Sequence, residues 1–107
     1  MAGELPAEVV HRTDHTVAFR DINPAAPVHV LVVPRQHVEN AAALGAEHAE
    51  VVTAMLAAAR EVAEAEGIGL PDRGYRLVFN VGPDALNSVP HLHLHVIGGR
   101  AMTWPPG

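Results

Sequence analysis

The stretch HLHLHVI, from His91 to Ile97, decides the fold, because it alternates strictly between two chemistries. Successive side chains of a β-strand point to opposite faces, so the stretch puts His91, His93 and His95 on one side of a sheet and Leu92, Leu94 and Val96 on the other. The leucine side is the core side. Three imidazoles in a row make no core and cost β propensity, so stability alone does not explain them. The apolar side needs a cover, and the cover is legible upstream. From Glu47 to Glu66, Val52, Met55, Ala59 and Val62 recur at three- and four-residue steps, while Glu47, Glu50, Arg60, Glu61 and Glu64 fall largely elsewhere. This spacing predicts an amphipathic helix that packs on the sheet and ends at Gly67 as a left-handed cap.

The remaining strands are short and β-branched. Glu8–Arg12 (EVVHR) and Thr16–Asp21 (TVAFRD) flank Thr13, Asp14 and His15, the pattern of a hairpin with a three-residue loop. Asn23-Pro24 and Pro27 interrupt the next stretch, and His29–Val33 (HVLVV) makes a third strand closed by Pro34. Tyr75–Val81 (YRLVFNV) makes a fourth, joined by the Gly82–Pro90 loop to the fifth, His91–Ile97. The sum is one α+β domain over residues 1–107, a five-stranded antiparallel sheet with one long helix on it. The terminal MTWPPG, Met102–Gly107, is expected to be irregular, with Trp104 either covering its own core or reaching a second subunit.

Composition removes several classes of function. Seven cations against twelve acids leave a formal charge of −5, no footprint for a nucleic acid. All seven cations are Arg, so Schiff-base and P-loop chemistry lack their ε-amine. Cysteine is absent, which excludes disulfides, thiolate catalysis and Cys-containing zinc sites. No apolar run reaches the ~18 residues of a membrane span, and Met1–Pro6 carries Glu4 and no basic segment of a signal peptide. The expectation is a cytoplasmic protein that binds neither nucleic acid nor membrane.

Eight histidines are the outlying figure, and three of them fall within five positions. Alternate residues lie about 6.7 Å apart along a strand, so His91 and His95 stand roughly 13 Å apart at the backbone. Two neighbours could share a zinc ion, but a third ligand would have to come from elsewhere, such as His29, His37 or an acid. A merely polar sheet face is a second reading. A third is acid, base or nucleophile chemistry on a phosphate-like anion: imidazoles offer donors and lone pairs, and repulsion between imidazolium charges keeps the row from full protonation. Gly82, Asn87 and Ser88, just upstream, suit the third reading, since backbone amides and a hydroxyl can cradle phosphoryl oxygens.

HLHLHVIGGR at His91–Arg100 resembles the His-x-His-x-His-x-x signature of the histidine triad superfamily, with hydrophobic residues at each x. AFRDINPAAPVHVLVVPRQH at Ala18–His37, GYRLVFNVG at Gly74–Gly82 and WPPG at Trp104–Gly107 are similar to its Hint branch, the purine nucleoside phosphoramidases. The resemblance implies a nucleotide hydrolase without a cofactor or metal. In it His93 is the nucleophile that attacks the α-phosphorus and becomes a nucleotidyl-histidine, His95 contacts the phosphoryl and leaving groups, and His29 with His91 orients the row. Asn80, Asn87, Ser88 and the amide of Val89 fall at phosphate and leaving-group positions, Asp21 at the ribose, and Phe19, Ile22 and Leu31 around the base. The substrate class is a purine nucleoside 5′-phosphoramidate, cleaved to AMP or GMP and an amine. A non-catalytic purine-nucleotide-binding adaptor and a His-ligated zinc protein are the alternatives.

The resemblance also implies a homodimer with a continuous ten-stranded sheet, in which Val51, Val52, Met55 and Leu56 supply apolar surface and Trp104 reaches the partner's pocket. Without the resemblance, Phe19, Ile22 and Leu31 read as core and Asp21 as a turn former. His37 reads as a packing or surface residue, and His11, His15 and His48 as surface residues. Two departures stand out. The chain begins almost at the Gly-Glu-Leu-Pro-Ala stretch, Gly3–Ala7, which implies a late start or a more open base pocket, and Leu86 occupies a loop position where close relatives tend to have glycine.

Overall fold

The computed structural model describes residues 8–107, so the Gly3–Ala7 stretch lies outside the described residues. The strands are β1 (Val9–Arg12), β2 (Thr16–Arg20), β3 (Val28–Pro34), β4 (Tyr75–Val78) and β5 (Leu94–Gly98), with one long helix, α1 (Ala49–Ala65), between β3 and β4. They form one antiparallel sheet in the order β1-β2-β3-β5-β4, so the histidine-bearing strand lies between two neighbours. The β1–β2 hairpin has the expected loop. Thr13 closes it, its hydroxyl accepting from the amides of His15 and Thr16.

The fifth strand starts three residues later than the sequence pattern suggests, at Leu94 instead of His91. Its partner explains the delay. Val32 pairs with Leu94, which would set Pro34 opposite Leu92, and proline has no N–H to donate to a ladder. The amide of Leu92 instead reaches Val38 O at 2.6 Å. The alternation of burial nevertheless persists from His91 to Ile97, with Leu92, Leu94 and Val96 buried and the histidines half-buried. Similarly, β4 ends at Val78 and not at Val81, where the chain leaves the sheet toward Asn80 and the loop.

Directly paired residues share a face, which sorts the sheet into a core side and a site side. Ala18, Val30, Val32, Leu94 and Val96 face α1, whose Met55, Ala58, Ala59, Val62 and Ala63 are buried against them. Alanine at three of those five helix positions lets the backbone approach the sheet closely. Helix α1 is preceded by a turn of 3-10 helix at Ala46–His48, so the regular helix begins two residues after the expected Glu47. Its end is a Schellman motif: Gly67, at φ +75°, donates to Glu64 O, and Ile68 donates to Ala63 O at 3.0 Å.

Met55 corrects an expectation. It has 0% exposure and belongs to the core, not to an apolar face available to a partner, whereas Leu56 beside it stays 44% exposed. Two histidines that read from the sequence as surface residues are also structural. His11 Nε2 lies 2.9 Å from Glu61 Oε1 and ties β1 to α1, and His48 Nδ1 accepts the Gly45 amide at the start of the helix. His15 is exposed, as expected. Arg20 joins β2 to the other end of α1 through Glu66 at 2.8 Å, and Glu66 and Glu8 raise its pKa. No helix among the described residues is long and apolar enough to cross a membrane.

Candidate active site

On the side of the sheet away from α1, the ladder sets Leu31 opposite both Phe19 and His95, and His29 opposite Ile97. This register brings His29 to the triad although 66 residues separate it from His95. His29 Nε2 lies 2.9 Å from His95 Nδ1, and the His93 and His95 rings stand 5.1 Å apart. The three histidines of the row and His29 therefore form one cluster. They are joined by His37, which from the sequence reads as a packing or surface residue or as a further metal ligand, and whose Nδ1 is 3.0 Å from His91 Nδ1.

The partners of each ring assign its tautomer. The Ala25 amide donates to His29 Nδ1 at 2.9 Å, so that nitrogen carries no proton and the neutral ring is protonated at Nε2. His29 Nε2–H then donates to His95 Nδ1, which leaves the proton of neutral His95 on Nε2, 3.4 Å from Nδ2 of Asn80. With the Asn80 amide turned so that its oxygen faces the ring, that N–H has an acceptor. A carbonyl can only accept, so the 2.8 Å contact of His93 Nδ1 with His91 O puts the His93 proton on Nδ1 and leaves a lone pair on Nε2. By the same reasoning His91 donates from Nε2 to Pro34 O at 3.1 Å. Its Nδ1 is then an acceptor for His37.

Burial disfavours the charged form of three of these rings. It lowers the pKa of His95 from 6.5 to about 4, with the nearby His93 and His29 pushing the same way and Asp21 opposing. His29 and His91 are lowered for the same primary reason, offset in part by Asp21 and by the Pro34 carbonyl respectively. The ring partners thus present one lone pair at His93 and one N–H at His95.

Of the other expected site residues, Asp21 and Asn80 touch the cluster. Asp21 Oδ2 is 3.4 Å from His29 Nε2, while its Oδ1 accepts the Asn23 amide at 2.8 Å, so the same carboxylate also forms the turn before Pro24. Arg100 donates to Ala25 O at 3.2 Å and ties down that turn. Phe19 is buried, Leu31 half-buried and Ile22 exposed. Asn87 Oδ1 is buried without a hydrogen-bond partner, and Ser88 and Val89 are exposed on the loop leading into the row. That loop turns on Gly82 O, which accepts from Ala85 and Asn87, and Leu86 sits in it at φ +62°. Trp104 is 82% exposed, with Arg76 6.0 Å from its ring. It lines a groove of about 480 Å³ along β4 with Leu77, Phe79 and Pro106.

Asp21, His29 and His95 each place a ligand atom within 4.8 Å of the others, a spacing that could hold a metal ion. The hydrogen bonds argue otherwise. With Nδ1 of His29 already accepting from Ala25, metal at Nε2 would leave that ring an imidazolate or break the Ala25 bond. The residues fit a shared proton better than a metal ion.

The HIT domain family matches residues 2–102. Among solved structures, the HIT family hydrolase of Legionella pneumophila Philadelphia 1 superposes with a TM-score of 0.90 at 46% identity, covering 98% of this chain and 92% of that one. Adenylylsulfatase HINT1 of Arabidopsis thaliana is 42% identical over 106 residues, covering 97% of this chain and 70% of its own. A Zea mays relative named 14 kDa zinc-binding protein is likewise 42% identical over 106 residues, 97% of this chain and 80% of its own, although the residues described above do not favour a metal here. With its ordered histidines, its sheet and nearly all of its length matched in this way, the chain belongs to the HIT domain family.

Proposed function

We propose that the protein is a nucleoside phosphoramidase: it hydrolyses the P–N bond at the α-phosphorus of purine nucleoside 5′-phosphoramidates through a nucleotidyl-histidine at His93. The observation that carries this reading is the tautomer of His93, whose Nδ1–H is committed to His91 O so that Nε2 offers a lone pair. Attack by Nε2 on phosphorus forms the N–P bond as the bond to the amine breaks. An amine leaves readily only when its nitrogen gains a proton; against the charge of the bound phosphate His95 takes one up from solvent, passes a proton from Nε2 to the amine and returns to its neutral form. In the second step water attacks phosphorus, returns a proton to His95 and releases the nucleoside monophosphate.

The loop residues fit the same scheme. Asn87 Oδ1, a buried acceptor without a partner, suits an N–H of the departing amine, and Ser88 with the amide of Val89 suits the non-bridging oxygens. Asn80 positions His95. Asp21 takes the ribose hydroxyls, and Phe19, Ile22 and Leu31 line the base. Leu56 on α1 and Leu77 on the free edge of β4 are exposed, which supports a homodimer that pairs these two elements and brings Trp104 to the partner's site.

Incubation with adenosine 5′-phosphoramidate tests the reading: the protein should release AMP and ammonia, and His93→Ala should lower the rate by at least about 10³-fold. Full activity in that variant rules out the covalent route. Tight AMP binding with no turnover of any α-phosphate substrate replaces the enzyme with a nucleotide-binding adaptor.

A further inference from the structure

The acceptor that fixes the His93 ring is the carbonyl of His91, and it lies before the ladder of β5 begins at Leu94. Sheet pairing does not hold that peptide. Three residues at and just beyond the end of β3 hold it instead. The peptide unit that contains His91 C=O also contains Leu92 N–H, which donates to Val38 O at 2.6 Å and sets the tilt of the plane. The ring of His91 is gripped at both nitrogens, by Pro34 O at 3.1 Å and by His37 Nδ1 at 3.0 Å. His37 is itself exposed, so its side chain contributes little burial, and the two imidazoles meet at a tilted 49° with centroids 5.1 Å apart.

From this geometry we infer that His37 is a positioning residue for the nucleophile, acting on His93 through His91. His37 Nδ1–H donates to His91 Nδ1, which holds the His91 proton on Nε2 and the ring against Pro34 O. The clamped residue presents its carbonyl to His93 Nδ1–H, and His93 keeps its lone pair on Nε2. Without His37 only one end of the His91 ring is held, the carbonyl turns more freely, and His93 exchanges between its two neutral tautomers, only one of which can attack. The inference rests on the reading of His93 as nucleophile but concerns a hydrogen-bond chain that exists without substrate.

The test compares wild type, His37→Ala and His37→Asn by ring ¹⁵N shifts of His93 and by steady-state hydrolysis of adenosine 5′-phosphoramidate. Asparagine places an amide N–H near the position of the histidine Nδ1–H. The expected result is a single Nδ1–H tautomer of His93 in wild type and a mixture in His37→Ala. That variant should show kcat reduced about ten-fold, KM within about two-fold and an unchanged Tm, with most of kcat restored in His37→Asn. An unchanged tautomer or unchanged kcat in His37→Ala overturns the inference, as does a His37→Asn variant as impaired as the alanine one or a loss of kcat that follows a fall in Tm. If wild type releases no AMP, the phosphoramidase reading fails by itself, and the tautomer comparison alone then decides for or against the role of His37.

Discussion

Each histidine of the cluster has the same side chain and a different job, and the difference lies in which nitrogen is already engaged. His93 spends its proton on a carbonyl and keeps a lone pair, while His95 receives a proton at one nitrogen and keeps an N–H at the other. This division makes a prediction about leaving groups. An amine needs the proton of His95, but sulfate is a stable anion and leaves without one, so His95→Ala should reduce hydrolysis of adenosine 5′-phosphoramidate at least about 10²-fold and that of adenylyl sulfate by much less. Equal losses on the two substrates, measured as kcat/KM, contradict the role of His95 as proton donor. Leu86 is a different kind of special residue. At φ +62° and 86% exposed, it takes a left-handed conformation that costs a residue with a Cβ about 1 kcal/mol and gains little burial in return. Leu86→Gly should therefore raise stability by roughly 0.5 kcal/mol in urea titration, the relief of strain exceeding the added chain entropy.

Strand and helix types were legible because two periods, 2 and near 3.6, run through the sequence without ambiguity. His91–Ile97 and Glu47–Glu66 each sort their apolar residues onto one face. Boundaries were less legible, since they depend on partners: β5 starts at Leu94 because Pro34, 60 positions earlier, cannot donate to Leu92. The triad and His29 could be given roles from residue type and resemblance, whereas His37 could be named only as an alternative metal ligand or as a packing or surface residue. Its signal is positional, three residues past the end of the strand that pairs with the histidine strand, and it emerges only with the β3–β5 register. Helix α1 illustrates the same limit. Met55 and Leu56 are adjacent and both apolar, yet the former is fully buried and the latter exposed. Met55→Ala should cost about 2–5 kcal/mol in chemical denaturation, whereas Leu56→Glu should leave the fold intact and shift the species seen by light scattering from dimer toward monomer. A wild-type monomer contradicts the proposed assembly.

Across the whole molecule, the site side of the sheet carries buried imidazoles that fold neutral, which couples stability to acidity. His95 titrates at about 4 in the folded protein against 6.5 when exposed, and burial lowers His29 and His91 in the same direction. Below 6.5 the unfolded chain takes up protons that the folded one refuses, so stability should be flat above about pH 7. It should fall between pH 6.5 and 4, by roughly 2 kcal/mol for His95 after allowance for its partial solvent access. Urea midpoints across that range measure it, and stability that rises on acidification contradicts a neutral cluster. On the same face the attacking nitrogen of His93 belongs to a ring 5.1 Å from the proton-donating ring of His95. Mass spectrometry of enzyme rapidly denatured during turnover of adenosine 5′-phosphoramidate tests this arrangement most directly. An adenylyl adduct on the peptide that contains His91–His95, lost in His93→Ala, is the predicted result. An active enzyme that carries no adduct, or one that keeps it after His93→Ala, contradicts the account.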